Sequence, residues 1–169
     1  MNPQSIDEVT DRLKWYSCEE IYEKVKVDEL YFLATNGGVT FGGGEPMLRY
    51  RFIKEFRKLC GKNWRIYVET SLNVPQECLY LLLDVVDGYI VDVKDMNPAI
   101  YEKYTGKDNK LVLENLQLLN VEERQNDVLL RLPLIPDYNS DIDRVLSRKQ
   151  LEKLGFNRFD EFNYIKNFH

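Results

Sequence analysis

The chain has 169 residues, enough for one domain with a real core, and its 44% hydrophobic and 30% charged composition fits a globular protein. Its net charge of −5 supplies no basic field for nucleic acid, and no apolar run reaches the roughly 20 residues of a membrane-crossing helix. Met1 to Thr10 is polar and acidic rather than leader-like, so the expected location is cytoplasmic.

Residues 1–16 read as a polar lead-in, and residues 17–169 as a single unit with no internal repeat or linker. Ser17-Cys18-Glu19-Glu20 has the spacing of a capping box, which predicts a helix over 18–33 with Ile21, Val25 and Leu33 inward. Val39 to Phe41 reads as a short strand. Leu48 to Cys60 is amphipathic, with Leu48, Phe52, Ile53, Phe56, Leu59 and Cys60 on one face and Gly61 as its stop. Trp64 to Thr70 is a second strand, and Pro75 opens a helix through Leu79, Leu81, Leu82 and Leu83. Gly88 to Val93 is a third strand. Asn97-Pro98 caps a short helix that ends at Gly106, and another helix covers 109–120. Val128 to Ile135 is a fourth strand closed by Pro136. A helix over 140–154 ends at Gly155, and Phe159 to Ile165 is a fifth strand.

Alternating strands and helices predict parallel strands with helical crossovers. Five strands are too few for a closed eight-stranded barrel of about 250 residues, so an open sheet or partial barrel is expected. In such folds ligands bind at the carboxyl ends of the strands. That is where polar residues interrupt the apolar runs. Glu69-Thr70-Ser71 ends the second strand, Asp92 and Lys94 sit at the end of the third, and Arg131 lies in the fourth. Period two places Asp92 and Lys94 on the face of Ile90, with Val91 and Val93 turned to the helices. An internal ion-pair network and a binding site both fit these residues.

The most distinctive string is Gly37-Gly38-Val39-Thr40-Phe41-Gly42-Gly43-Gly44-Glu45-Pro46. Residues without Cβ let main chain approach a ligand at a strand end, or turn a tight corner, and Pro46 can open a helix. No Gly-Lys-Ser/Thr follows, so it is not a phosphate-binding P-loop. Met47 stands where a dinucleotide fingerprint needs its last glycine. The three cysteines, Cys18, Cys60 and Cys78, are too widely spaced for a disulfide framework or a metal cluster. The single histidine is His169, which leaves little room for a histidine base.

Taken together, these stretches resemble the radical S-adenosylmethionine superfamily, in its branch of glycyl-radical-enzyme activating proteins such as pyruvate formate-lyase activating enzyme. The resemblance spans about residues 17 to 165. Gly37 to Pro46 is similar to the family's G-G-V-T-F-S-G-G-E-P loop, with Gly42 in the usual Ser place. Tyr89 to Met96 resembles its D-x-K segment. Arg131-Leu132-Pro133-Leu134-Ile135-Pro136 with Asn139 resembles its R-x-P-x-I-P-x-x-N segment.

The resemblance implies a partial (β/α)₆ barrel. It implies that Gly43, Gly44 and Glu45 hold the methionine amino group through main-chain oxygens, while Lys94 reaches the carboxylate and Arg131 helps. Asp92 with Glu69 and Thr70 resembles an oxygen-lined monovalent cation site, where the family usually has Asp in place of Glu69. The family's C-x-x-x-C-x-x-C motif, which holds a [4Fe–4S] cluster, has no counterpart here. Only Cys18 precedes the glycine loop, at a helix position rather than a ligand position. The family histidine at the end of its sixth strand also finds no match, since Asn163, Tyr164 and Ile165 stand there. The expectation is therefore a truncated or split activating enzyme that lacks the first strand and is inactive as it stands. The alternative is a non-catalytic adenosyl-ligand-binding or docking module. The implied partner is a glycyl-radical enzyme. Val39-Thr40-Phe41 would be an unpaired edge, inviting self-association or pairing with a separate fragment.

Overall fold

The computed structural model describes residues 14–164. Most of the polar lead-in, the last residue assigned to the fifth strand (Ile165) and His169 lie outside the described residues. Helix α1 (Cys18–Val25) begins at the expected capping box: Ser17 Oγ accepts from the Glu20 amide, and Glu20 accepts from the Ser17 amide at 2.7 Å. The single helix expected over 18–33 is instead two. A 3₁₀ turn, Lys26–Asp28, separates α1 from α2 (Glu29–Thr35). Three residues at three per turn rotate the following face by about 60° relative to an α-helix. Phe32 therefore points inward and Leu33 is 50% exposed, while Ile21 and Val25 pack against the core as expected.

Strand β1 (Gly38–Phe41) leads through the glycine loop into a 3₁₀ turn, Pro46–Arg49, and then α3 (Tyr50–Cys60). Leu48 falls on that turn and is exposed, whereas Ile53, Phe56 and Cys60 are buried. β2 (Arg65–Thr70) precedes α4 (Gln76–Tyr80), which is shorter than its leucine run suggested. Leu82 and Leu83 are buried on tight i→i+3 turns after it. β3 (Gly88–Asp92), α5 (Pro98–Thr105), α6 (Lys110–Val121), β4 (Val128–Leu134), α7 (Asp141–Lys153) and β5 (Phe159–Asn163) complete the order.

The strands form one sheet in the order β1-β2-β3-β4-β5, with every neighbouring pair parallel. Among the described residues the sheet is open, and β1 pairs only with β2. Gly38 is required by close approach: a Cβ there would lie 1.8 Å from the Arg65 carbonyl oxygen. The core centres on Trp64, which stacks on Tyr22 at 5.2 Å and meets Phe32 edge-on at 5.1 Å. At the amino ends of the strands Asp87 ties β2 to α3. It accepts from the Ile66 amide at 2.7 Å and pairs with Arg57 and Arg65. Position at that end marks this cluster as structural, because ligands approach the opposite rim.

Candidate functional site

The glycine loop leaves β1 at its carboxyl end. Gly43 (φ 78°) and Gly44 (φ 59°) occupy the left-handed region, where a side chain is strained. The space a Cβ would take at either position is empty to 4 Å. Among the described residues, the carbonyls of Gly43 and Gly44 accept no hydrogen bond. Bare carbonyls on an open corner are acceptors suited to an ammonium group.

Glu45 supports this corner through its side chain. Its carboxylate accepts from Thr70 Oγ1 at 2.6 Å, Ser71 Oγ at 2.8 Å, the Ser71 amide at 3.0 Å and the Met47 amide at 3.3 Å. Thr70 Oγ1 in turn accepts from the Leu72 amide at 2.9 Å. The loop after β1 is thus fastened to the end of β2 by one carboxylate with four donors. The Glu45 carbonyl accepts from the Leu48 amide at 3.3 Å, so Gly43 and Gly44 are the freer acceptors.

On the sheet face away from the packed helices, burial alternates along β3. Tyr89, Val91 and Val93 are buried, while Ile90, Asp92 and Lys94 are half-buried, as period two required. Lys94 Nζ donates to Asp92 Oδ2 and to Tyr164 Oη, the latter at 2.6 Å. Burial of Lys94 works to lower its pKa, but the hydrogen bonds to Asp92 and Tyr164 outweigh that and hold it above the usual lysine value. The ammonium therefore stays charged. Asp92 Oδ1 is buried with no hydrogen-bond partner.

Arg131 bridges strands that are not neighbours. It pairs with Glu69 of β2 at 2.6 Å, across β3, and with Asp160 of β5 at 3.4 Å. Its guanidinium also lies 4.6 Å from the Phe162 ring centroid. Behind both cations, Asn139 braces the ends of β3 and β4. Its amide donates to Pro133 O at 3.1 Å and Asp95 Oδ2 at 3.2 Å, and its Oδ1 accepts from the Ile135 amide at 2.6 Å. Asp95, 3% exposed, also receives the Asn97 amide and the Ser147 hydroxyl.

Lys94 and Asp92 come together, as do Arg131 and Glu69, and Glu45 joins Thr70. The structure does not gather Asp92, Glu69 and Thr70 into one cluster of side chains. Alternation along β2 puts Glu69 and Thr70 on opposite faces, and each has another partner. No group of three metal-ligating acidic, Cys or His side chains occurs among the described residues. Tyr164 and Asp160 carry site contacts that sequence reasoning did not assign. Their signal was period two along β5, which sets Asp160, Phe162 and Tyr164 on one face.

The cysteines do not suit an iron–sulfur cluster. Cys18, Cys60 and Cys78 are all free and buried on different helices, and burial raises the pKa of each thiol. Cys18 Sγ donates to the Phe52 carbonyl at 3.4 Å, a packing contact. Ligating thiolates need the reverse, an environment that favours the charged sulfur.

The sequence pattern of the radical SAM superfamily matches residues 2–148. The chain belongs to the radical SAM superfamily. Among curated relatives, the (2S)-3-sulfopropanediol dehydratase activating enzyme of Klebsiella oxytoca is 34% identical over 164 residues, covering 89% of this chain and 51% of that protein. The 4-hydroxyphenylacetate decarboxylase activating enzyme of Clostridioides difficile strain CD196 is 31% identical over 163 residues, covering 90% and 51%. The chain spans about half the length of these relatives. Solved structures share the fold. Streptococcus suis SuiB bound to S-adenosylmethionine superposes with a TM-score of 0.71 at 12% identity, over 92% of this chain and 35% of that one. A domain of pyruvate-formate lyase-activating enzyme from Bacteroides vulgatus gives 0.53 at 19% identity, over 74% and 98%. The open parallel α/β sheet is thus a radical SAM fold related to TIM-type barrels. Among the described residues no helix is long and apolar enough to cross a membrane.

Proposed function

We propose that this chain carries the S-adenosylmethionine-holding rim of a glycyl-radical-enzyme activating protein. The observation that carries the reading is the glycine corner. Glu45 spends its carboxylate on Thr70 and Ser71, which leaves the Gly43 and Gly44 carbonyls open at the same sheet end as Lys94 and Arg131. Free carbonyls suit the amino group of a methionine moiety, and the Lys94 ammonium suits its carboxylate. β1 and β3 stand two strand spacings apart, roughly 10 Å, a gap that the long Lys94 side chain shortens. Asp92 Oδ1, buried without a partner, is a further acceptor for the ligand's ammonium or a monovalent cation. Glu69 and Thr70 serve instead to hold Arg131 and Glu45 in place.

In the superfamily, S-adenosylmethionine supplies an adenosyl radical once an iron–sulfur cluster delivers an electron. The described residues do not fit such a cluster, so no chemical step is assigned to them. They bind and orient. A second reading is an adenosyl-ligand-binding module without its own redox chemistry. The names of the curated relatives support a glycyl-radical enzyme as the partner of the activating-protein reading.

Calorimetric titration with S-adenosylmethionine tests the shared claim. Saturable binding is expected, weakened at least tenfold in Lys94→Ala by loss of a charge-assisted contact. Absence of binding by the unaltered chain would refute it. Iron and sulfide analysis after anaerobic reconstitution separates the two readings. A full cluster with radical activity defeats the module reading.

A further inference from the structure

Lys94 has two natural directions. Asp92 sits two residues before it on the same face of β3, and alone would fold the ammonium back along its own strand. Tyr164, just beyond β5, draws it the other way across the mouth of the sheet. The hydroxyl closes a cycle: it accepts from Lys94 Nζ at 2.6 Å and donates to Asp92 Oδ2 at 3.4 Å. Tyr164 is itself fastened. Its amide donates to the Leu134 carbonyl at 3.0 Å, and its ring meets Phe162 edge-on at 5.4 Å. The Tyr164 and Tyr104 rings lie 5.2 Å and 5.8 Å from the ammonium and limit where it can swing. A lysine ammonium has three donors. Two are used, and the third has no partner among the described residues.

We propose that Tyr164 is a positioning residue, holding Lys94 so that its third N–H is presented to the carboxylate of the bound adenosyl amino acid. This rests on the adenosyl-ligand reading above and adds to it the group that sets carboxylate recognition. Asp92 alone neutralises Lys94. Asp92 and Tyr164 together aim it.

The test compares S-adenosylmethionine with its decarboxylated analogue by calorimetry, using the full chain, Tyr164→Phe, Lys94→Ala and the double variant. Tyr164→Phe is expected to weaken S-adenosylmethionine binding about tenfold, the lower range for a lost hydrogen bond to a charged group. It should leave affinity for the decarboxylated analogue unchanged. The double variant should be no weaker than Lys94→Ala, because Tyr164 acts through Lys94. Tyr164→Gln restores an acceptor and should recover part of the loss. Equal weakening of both ligands would mean a merely structural role and overturn the inference. So would an undiminished Tyr164→Phe effect in the Lys94→Ala background, or no effect at all. If the unaltered chain binds neither ligand, the adenosyl reading itself fails and takes this inference with it. Binding by the unaltered chain with Tyr164→Phe unaffected defeats the inference alone.

Discussion

Replacing Glu45 by Gln is the sharpest probe of the glycine corner, because it changes one atom and little shape. All four partners of this carboxylate are donors: Thr70 Oγ1, the Met47 amide, and the amide and hydroxyl of Ser71. An amide presents one acceptor and one donor group. If its oxygen stays with Ser71, its NH₂ faces Thr70 and Met47. Thr70 Oγ1 accepts from the Leu72 amide and can take the new NH₂ on its second lone pair only by turning its own hydrogen away from residue 45, while the Met47 amide can only donate. Two hydrogen bonds to a charged group are lost, each worth about 1.5–3 kcal/mol. Glu45 is only half-buried, and water relieves part of the loss, which leaves about 2–3 kcal/mol in all. For a chain of this size that is about 4–12 °C in Tm. Urea unfolding should show a lower midpoint with an unchanged slope. Glu45→Gln should be no more stable than Glu45→Ala, although Gln is the closer shape. S-adenosylmethionine affinity should fall in parallel, since the Gly43 and Gly44 carbonyls lose their support. A Glu45→Gln protein within about 0.5 kcal/mol of the parent, the ordinary range for surface changes, would refute the latch.

Asp87 predicts acid sensitivity at the opposite end of the sheet. Burial pushes its carboxyl up, but the Ile66 amide and Arg57 outweigh that and hold it below the usual value. A depressed folded pKa stabilises above the unfolded value, near 3.9, and that stability is lost as pH falls through the folded value. Asp87→Asn should therefore flatten the fall of the urea midpoint below about pH 4; an unchanged acid limb would count against the tie. Asn115, fully buried, donates to the Leu72 and Val74 carbonyls at 2.8 Å and 2.9 Å and steadies Leu72 in its left-handed turn. Asn115→Ala strands both carbonyls and should cost about 2–4 kcal/mol in denaturant unfolding. The side of β1 that is unpaired among the described residues borders a groove of about 1300 Å³, lined in part by Trp15, Ile21, Val25, Phe41 and Leu48. We predict concentration-dependent self-association through this edge. Sedimentation velocity giving a single monomer boundary at high concentration would remove the idea.

Much of this protein was legible from local pattern. The capping box at Ser17, the stop at Gly61, the helix start at Asn97-Pro98 and the period-two face of Ile90, Asp92 and Lys94 depend on residues a few positions apart. Those rules operate before any tertiary contact forms. The split of the first helix was not legible, because Ile21, Val25 and Leu33 read as one inward face until the 3₁₀ turn rotates it. Nor did residue type reveal that Glu45 works through its side chain.

By itself, the sequence determined that a glycine corner, a lysine and an arginine would gather at the carboxyl ends of parallel strands, since strand period and apolar runs are local properties. Only the tertiary structure decided their partners. Arg131 meets Glu69 from 62 residues away, and Lys94 meets Tyr164 from 70. Those pairings depend on sheet order, register and curvature, which exist only once the whole set of strands has come together.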